Sequence, residues 1–557
     1  MLAAAVTRAS LLAWVADDAF ISFRYAENWV AGHGFVYNVG EHVEGYTNFL
    51  WTLMVGVAMK LGFAPEPASG WMGIAAYVAL VLCLARWSWV RSRSTGRPFL
   101  PVAAGIVLLS DDFHVWATGG LETMLFAYLA CQAALWTRAE GDRIGPSAAA
   151  GVAFSLLVLT RPDGLLFAGA GVLSHWFPLQ RRDLRRRLIH SAWTAVPVAL
   201  TLAIGLPIKW HFYGDLFPTA FYSKSVLEPY FGQGLVYVGL YLAKNWYLPV
   251  CTAILLLLRR RKAAAALASP APDRWNEWFF LGTAALFLSY LVEVGGDFMF
   301  ARRVIPAVPL LLLALEAAIC RIPTARMRHG LAAAALVGAA LPIPLFDGTG
   351  RISGVSDEPA FYPPEYVAMR KQQAELVSGA LAGTDVRAAF EGGMCMFGYY
   401  SGLPYLVETS GLTQYSLAKQ SLVKRGRPGH EKGADGRWLT ENEIHLVFSQ
   451  VWPLVERDSN QRRLDEVTFG DLIRARIHIY SDDVMDALRN RPDISFVPIE
   501  EVLKISARLI EQRSLAESEI IYAGLVDYYF RTAGARGKKA ATEFSRLIEA
   551  KREAESR

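Results

Sequence analysis

Charge is what this chain has little of. Only 19% of its 557 residues are Asp, Glu, Lys or Arg, against about a quarter in an ordinary soluble protein. Cysteine is scarce as well, with five in all. Cys83, Cys131, Cys251 and Cys320 fall in apolar segments, and only Cys395 falls in the more polar C-terminal stretch. That stretch therefore has no internal disulfide, and no cysteine spacing suits a metal. A G-x-G-x-x-G turn followed by the expected acid is missing, which removes a Rossmann-type nucleotide site. No convincing internal repeat is visible, and this counts against a transporter built from matched halves. The net charge of +5 is not a nucleic-acid signal, because the basic residues sit in short clusters beside apolar runs.

What the chain does have is apolar length. Hydrophobic residues make up 53% of it, in long runs from Met1 to about Phe346. From Asp347 onward the sequence reads as a mixed α/β domain. The reading is a polytopic α-helical membrane portion, 1–346, followed by a soluble α/β domain, 347–557. A crossing helix needs about 20 apolar residues. Candidates are 1–16, 71–90, 98–110, 121–137, 146–160, 165–178, 189–209, 234–258, 277–293, 303–320 and 328–346, eleven spans. The first would rise only about 24 Å. Segments 146–160 and 165–178, parted by Arg161-Pro162-Asp163-Gly164, are two thin spans or a re-entrant pair. Segment 44–63 reads as an amphipathic helix in the membrane interface, with Tyr46 and Trp51 at headgroup depth.

Orientation comes from arginine. Clusters at Arg91, Arg93 and Arg97; at Arg181, Arg182, Arg185, Arg186 and Arg187; at Arg259, Arg260, Arg261 and Lys262; and at Arg321, Arg326 and Arg328 mark the cytoplasmic side. The N-terminus then lies on the cytoplasmic side of the cytoplasmic (inner) membrane, and the C-terminal domain is extracytoplasmic.

Under that scheme the outer loops collect Asp17, Asp18, Arg24, His33, Glu41, His42 and Glu44, then Asp111, Asp112, His114 and Glu122. Later loops add Arg161 and Asp163, then His211, Asp215, Tyr222 and Lys224, then Asp297, Arg302 and Arg303. Acids beside arginines at a bilayer surface suit a reaction on a phosphate-linked substrate. Cations or a divalent metal ion neutralise the phosphate, while a carboxylate takes a proton from an attacking hydroxyl. Each group also has a plain structural reading. A tandem acid can cap a helix, Glu122 can sit as a favourable first-turn acid, and Arg161–Asp163 can be a salt-bridged turn. No His/Asp spacing makes a dedicated metal site, so any metal would be assembled from separate loops.

The stretches DDAFISFRYAENWVAGHGFVYNVGEHVEGYTNFLW, GGLET, TRPDG, FYGDLFPTAFYSKS, GGDFMFARRVIPAVP, GYYSGLPYLVETSGLT and RPGHEK together resemble the bacterial GT-C glycosyltransferases related to the mycobacterial terminal β-1,2-arabinofuranosyltransferase. The resemblance runs from about Asp17 to about Lys432. It implies a multi-span enzyme that moves a sugar from a polyprenyl-phosphate donor to a glycan acceptor at the outer face of the membrane. The catalytic carboxylate then falls on Asp17 or Asp18, with Asp17 favoured and Asp18 in support. Donor phosphate or sugar binding falls on Arg161, Asp163, Lys224, Asp297, Arg302 and Arg303, and acceptor or supporting roles on Glu44, Tyr46, Glu122 and His430. A transporter or flippase for an anionic or lipid-linked substrate is the alternative, since intramembrane acids and arginines also mark substrate pathways.

In the C-terminal stretch, AAFEGGMCMFGYYSGLPYLVETSGLT alternates strand-like runs with glycine turns. Arg425 to Lys432 (RGRPGHEK) is a basic, flexible loop. Segments 501–515 and 538–555 read as helices.

Overall fold

A computed structural model describes the whole chain apart from 97–98, 139–142, 178–182, 263–272, 450–463, 490, 533 and 557. Arg97, Arg181 and Arg182 of the basic clusters therefore lie outside the described residues.

Up to about residue 340 the named elements are all helices. Pro65–Thr95 begins with proline at its first turn, where no N–H is needed, and closes on the left-handed Gly96. Leu184–Tyr213 likewise closes on the left-handed Gly214. Helices approach closely where glycine leaves no side chain between them. A Cβ on Gly73 would lie 2.2 Å from the Ala117 carbonyl, and one on Gly234 would lie 2.1 Å from that of Val292.

Eleven helices of crossing length are not found among the residues the structure describes. Among the described residues, Pro65–Ser94 and Leu184–Tyr213 are long and apolar enough to cross a bilayer. A third crossing arises if Phe231–Lys244 and Tyr247–Leu257, bent by 82°, count together. The remaining apolar runs form shorter helices, among them Leu2–Leu11, Thr123–Thr137, Gly145–Thr160, Gly164–Ser174 and Ile305–Cys320. Hydropathy reports removal from water, whether lipid or protein provides the cover. Several runs here are cut by a polar break: Ser110 before Asp111–Thr118, Arg161 before Gly164–Ser174, and Asn245 at the bend.

Segment 44–63 is a second correction. It contains the helix Phe49–Lys60, but Trp51 is fully buried and Tyr46 is buried. The Trp51 indole donates to the Gly120 carbonyl at 2.9 Å. A hydrogen bond inside the protein, rather than a lipid headgroup, satisfies its polar edge.

Every named strand lies after residue 350. A two-stranded hairpin pairs β1 (Arg351–Ile352) with β2 (Val355–Ser356). The main sheet comprises β3 (Arg387–Glu391), β4 (Tyr405–Glu408), β5 (Leu446–Ser449), β6 (Glu466–Phe469), β7 (Ile473–Ile477) and β8 (Ile494–Phe496). Their order is β4-β3-β5-β7-β6-β8. The β3 pairings with β4 and β5 are parallel and the rest antiparallel. The expected C-terminal helices are present as Ile499–Gln512 and Ala535–Glu555.

The two portions interlock. Arg24 donates to the carbonyls of Gly398 and Leu403, and Asn38 exchanges hydrogen bonds with the Leu406 backbone. Ser356 exchanges backbone hydrogen bonds with Phe298 and Phe300.

Candidate functional site

The tandem acids form the turn that opens the helix Ala19–Val30. Asp17 is 2% exposed. Its two carboxylate oxygens accept the backbone N–H groups of Cys395 and Met396, each at 2.8 Å. Burial raises its pKa to about 6, against the opposing pull of those two donors. Both oxygens of Asp17 are thus committed to the first turn of Cys395–Ser401. Asp18 takes different partners. Its side chain keeps 27% exposure, and one oxygen lies 3.9 Å from the Arg302 guanidinium. Burial raises its pKa, while Arg302 and Lys224 pull the other way.

The arginines are aimed by an unusual backbone. Gly295 and Gly296 have φ +84° and +70°, and a Cβ on Gly296 would sit 2.5 Å from the Tyr237 ring. Asp297 then accepts the Phe298 N–H at 2.8 Å. Ala301, a non-glycine at φ +64°, reverses the chain just before Arg302 and Arg303, at a cost of roughly 1–2 kcal/mol. The Tyr237 hydroxyl holds this turn, accepting from the Arg303 N–H and donating to the Met299 carbonyl.

From there a partly buried network of charges follows. Arg302 and Arg161 share one oxygen of Glu122, at 3.4 and 2.7 Å. The other Glu122 oxygen accepts from Asn48 at 2.9 Å. Arg161 and Arg303 both grip Asp163, at 3.1 and 2.8 Å. These residues line a small cavity with Thr123, Phe126, Phe287 and Pro306. In its walls the Nε atoms of Arg302 and Arg303 and the Thr123 hydroxyl are buried without a hydrogen-bond partner. Unfilled donors of this kind are expected where a polar ligand belongs. Lys224 stands 3.8 Å from Asp297. Burial pushes Asp297 up, but Lys224, Arg302 and Arg303 outweigh it and hold the carboxyl at about 2. Burial lowers the Lys224 pKa.

The structure thus brings together Asp18, Glu122, Arg161, Asp163, Lys224, Asp297, Arg302 and Arg303, with His430 beside Phe298 (ring centroids 5.1 Å apart). Glu44 and Tyr46 are engaged elsewhere. Glu44 pairs with Lys209 at 2.8 Å, and the Tyr46 hydroxyl meets that of Tyr213 at 2.9 Å. Asp111 and Asp112 are also taken, by Arg8 and His114 and by Lys244 and Asn245. Asp215 binds Lys419 and Tyr222. His33 and His211 stand exposed.

Sequence reasoning missed Asn48, Tyr290, Glu358 and Arg427. Tyr290 has its hydroxyl 3.5 Å from Arg303, and Glu358 and Arg427 form a 3.9 Å pair. Two of them carried a local signal, Asn48 in the stretch that ends GYTNFLW and Arg427 in RGRPGHEK. Among the described residues no three His, Cys, Asp or Glu side chains converge on a point that would hold a metal ion.

No family model matches the chain. It is similar to the terminal β-(1→2)-arabinofuranosyltransferase of Mycobacterium tuberculosis, 27% identical over 319 residues, covering 52% of this chain and 50% of that protein. The enzyme of the same description from Corynebacterium glutamicum is 27% identical over 344 residues, covering 55% and 48%. The chain thus spans about half the length of the curated relatives it matches. Among solved structures it is similar to ArnT from Cupriavidus metallidurans bound to undecaprenyl phosphate, with a TM-score of 0.48 and 11% identity, covering 73% of this chain and 84% of that one. The apo form gives 0.45 at 11% identity, covering 80% and 91%.

Proposed function

We propose that the chain is a GT-C-like glycosyltransferase that moves a sugar from a polyprenyl-phosphate donor to a glycan acceptor at the extracytoplasmic face of the cytoplasmic membrane. The observation that carries this is Asp18, a partly open carboxylate 3.9 Å from Arg302, which is one of the arginines lining the cavity, with Lys224 also acting on it. The curated relatives are arabinofuranosyltransferases by description, and they supply arabinofuranose as the sugar to try first.

In this reading the acceptor hydroxyl lies against Asp18 and its oxygen attacks the anomeric carbon. The bond from that carbon to the phosphate oxygen breaks, the electron pair leaves with the phosphate, and Asp18 takes the hydroxyl proton. Burial raises the Asp18 pKa, which suits it to accept a proton. The leaving polyprenyl phosphate gains negative charge, and Arg302, Arg303 and Lys224 stand ready to balance it. A lipid donor keeps its tail in the bilayer and presents its sugar at the surface, so no nucleotide fold is called for. Asp18 replaces Asp17 as the favoured acid, because both Asp17 oxygens are occupied by backbone N–H groups.

The test is transfer by the protein in lipid vesicles, with polyprenyl-phosphate arabinofuranose and other polyprenyl-phosphate sugars offered separately. Transfer from one of these, lost in Asp18→Asn at unchanged expression, is the expected result. Donor movement across the bilayer without any transfer would sink the proposal.

A further inference from the structure

One more cation stands beside the Asp297–Phe298 turn, and it comes from the C-terminal portion of the chain. Arg427 keeps 26% of its side chain exposed, and its ion pair with Glu358 is long, at 3.9 Å. Its guanidinium lies over the Phe298 ring at 4.0 Å, one residue from Asp297. Its Nε is buried with no hydrogen-bond partner. Asp18 lies within the electrostatic reach of Arg302, Lys224 and Arg427. An arginine held by a ring face and one loose ion pair keeps most of its donor fork available, unlike Arg161 in its short pairs with Glu122 and Asp163.

The loop that carries Arg427 is fastened to the loop that carries Lys224. Arg425 donates to the carbonyls of Lys224, Ser225 and Glu228. Lys432 donates to those of Tyr222 and Ala418, at 2.7 and 2.6 Å. Gly429 has φ +85°, and a Cβ there would lie 3.3 Å from the Lys224 side chain. The loops that carry Arg427 and Lys224 are therefore tied together on both sides of Arg427. Glu358 is held in turn by the Ser356 and Tyr362 hydroxyls, at 3.1 and 3.2 Å.

We propose that Arg427 binds the same lipid-linked phosphate as Lys224 and Arg302, so that the donor site is complete only while the C-terminal portion is docked. This rests on the donor reading above. The two are separated by measuring binding of undecaprenyl phosphate to the full-length protein in nanodiscs, alongside melting temperature. Arg427→Gln weakens that binding at least about tenfold, Arg427→Lys recovers part of it, and neither moves the melting temperature far. In the transfer assay the loss appears in KM for the donor more than in kcat.

A wild-type protein that does not bind the lipid phosphate would remove the donor reading itself. A wild type that binds, with Arg427→Gln binding equally well, would overturn this inference and leave the donor reading standing. If Arg427→Gln fails to fold, Arg427→Lys decides. Its unstacked point charge binds more weakly than arginine if the contact is real, and equally well if Arg427 only braces Phe298.

Discussion

The carboxylate of Asp17 accepts the backbone N–H of Cys395 at 2.8 Å, across 378 residues of chain. Asp17 is thereby a fastener between the N-terminal helices and the sheet portion, and its neighbour Asp18 is left to face Arg302 and Lys224.

The two acids are expected to fail differently. Asp17→Asn puts an amide NH2 against one of two backbone donors and should cost about 1–3 kcal/mol of stability, with activity per folded molecule nearly kept. Asp18→Asn should leave the melting temperature close to wild type and lower kcat by about 10²–10⁴-fold. Paired melting and turnover measurements check this, and the reverse pattern would restore Asp17 as the reacting acid.

Glu122 is 1% exposed and is shared by the buried Arg302 and the half-buried Arg161. Glu122→Ala strands both, and breaking a buried charge pair costs about 3–5 kcal/mol. A large drop in melting temperature is expected. A drop of only a degree or two would mean that water reaches these arginines.

His430 gives a pH signature. Burial lowers its pKa to about 3, with Arg427 and Lys224 pushing the same way. Above the ordinary histidine value, about 6.5, the folded and unfolded forms are both neutral and no dependence arises. Below it the unfolded chain binds a proton that the folded chain refuses until about pH 3, so stability falls as pH falls. His430→Phe keeps a ring beside Phe298 and should flatten the melting profile between about pH 4 and pH 6.5. Parallel wild-type and variant profiles would contradict the assignment.

Ala301 is 1% exposed and left-handed. Ala301→Gly should change stability by less than about 1 kcal/mol, since relief of strain offsets the added freedom of the unfolded chain. Ala301→Val should cost about 1–3 kcal/mol and raise the donor KM by displacing Arg302 and Arg303. Chemical denaturation and donor titration read the two effects.

Much of the candidate site was legible because its charges sit in short motifs at the ends of apolar segments, where an unpaired charge is costly. TRPDG holds Arg161 and Asp163, and GGDFMFARR holds Asp297, Arg302 and Arg303. In the fold these motifs meet through Glu122 and Asp163. Glu358 was not legible, since its role depends on Ser356 pairing with the Phe298–Phe300 backbone. Nor was the burial of Trp51, because an aromatic residue near a helix start looks the same whether lipid or protein covers it.

The sequence by itself determined where the chain is helical and apolar, where it becomes mixed α/β, and which charges flank the apolar segments. Composition and local pattern carry that information, since each helix and strand buries its own residues. Tertiary structure alone decided how many helices are long enough to cross a bilayer, and which of two adjacent, chemically identical aspartates is left beside Arg302. Two backbone N–H groups from a helix nearly 380 residues away claim Asp17, and nothing local to the pair distinguishes it from Asp18.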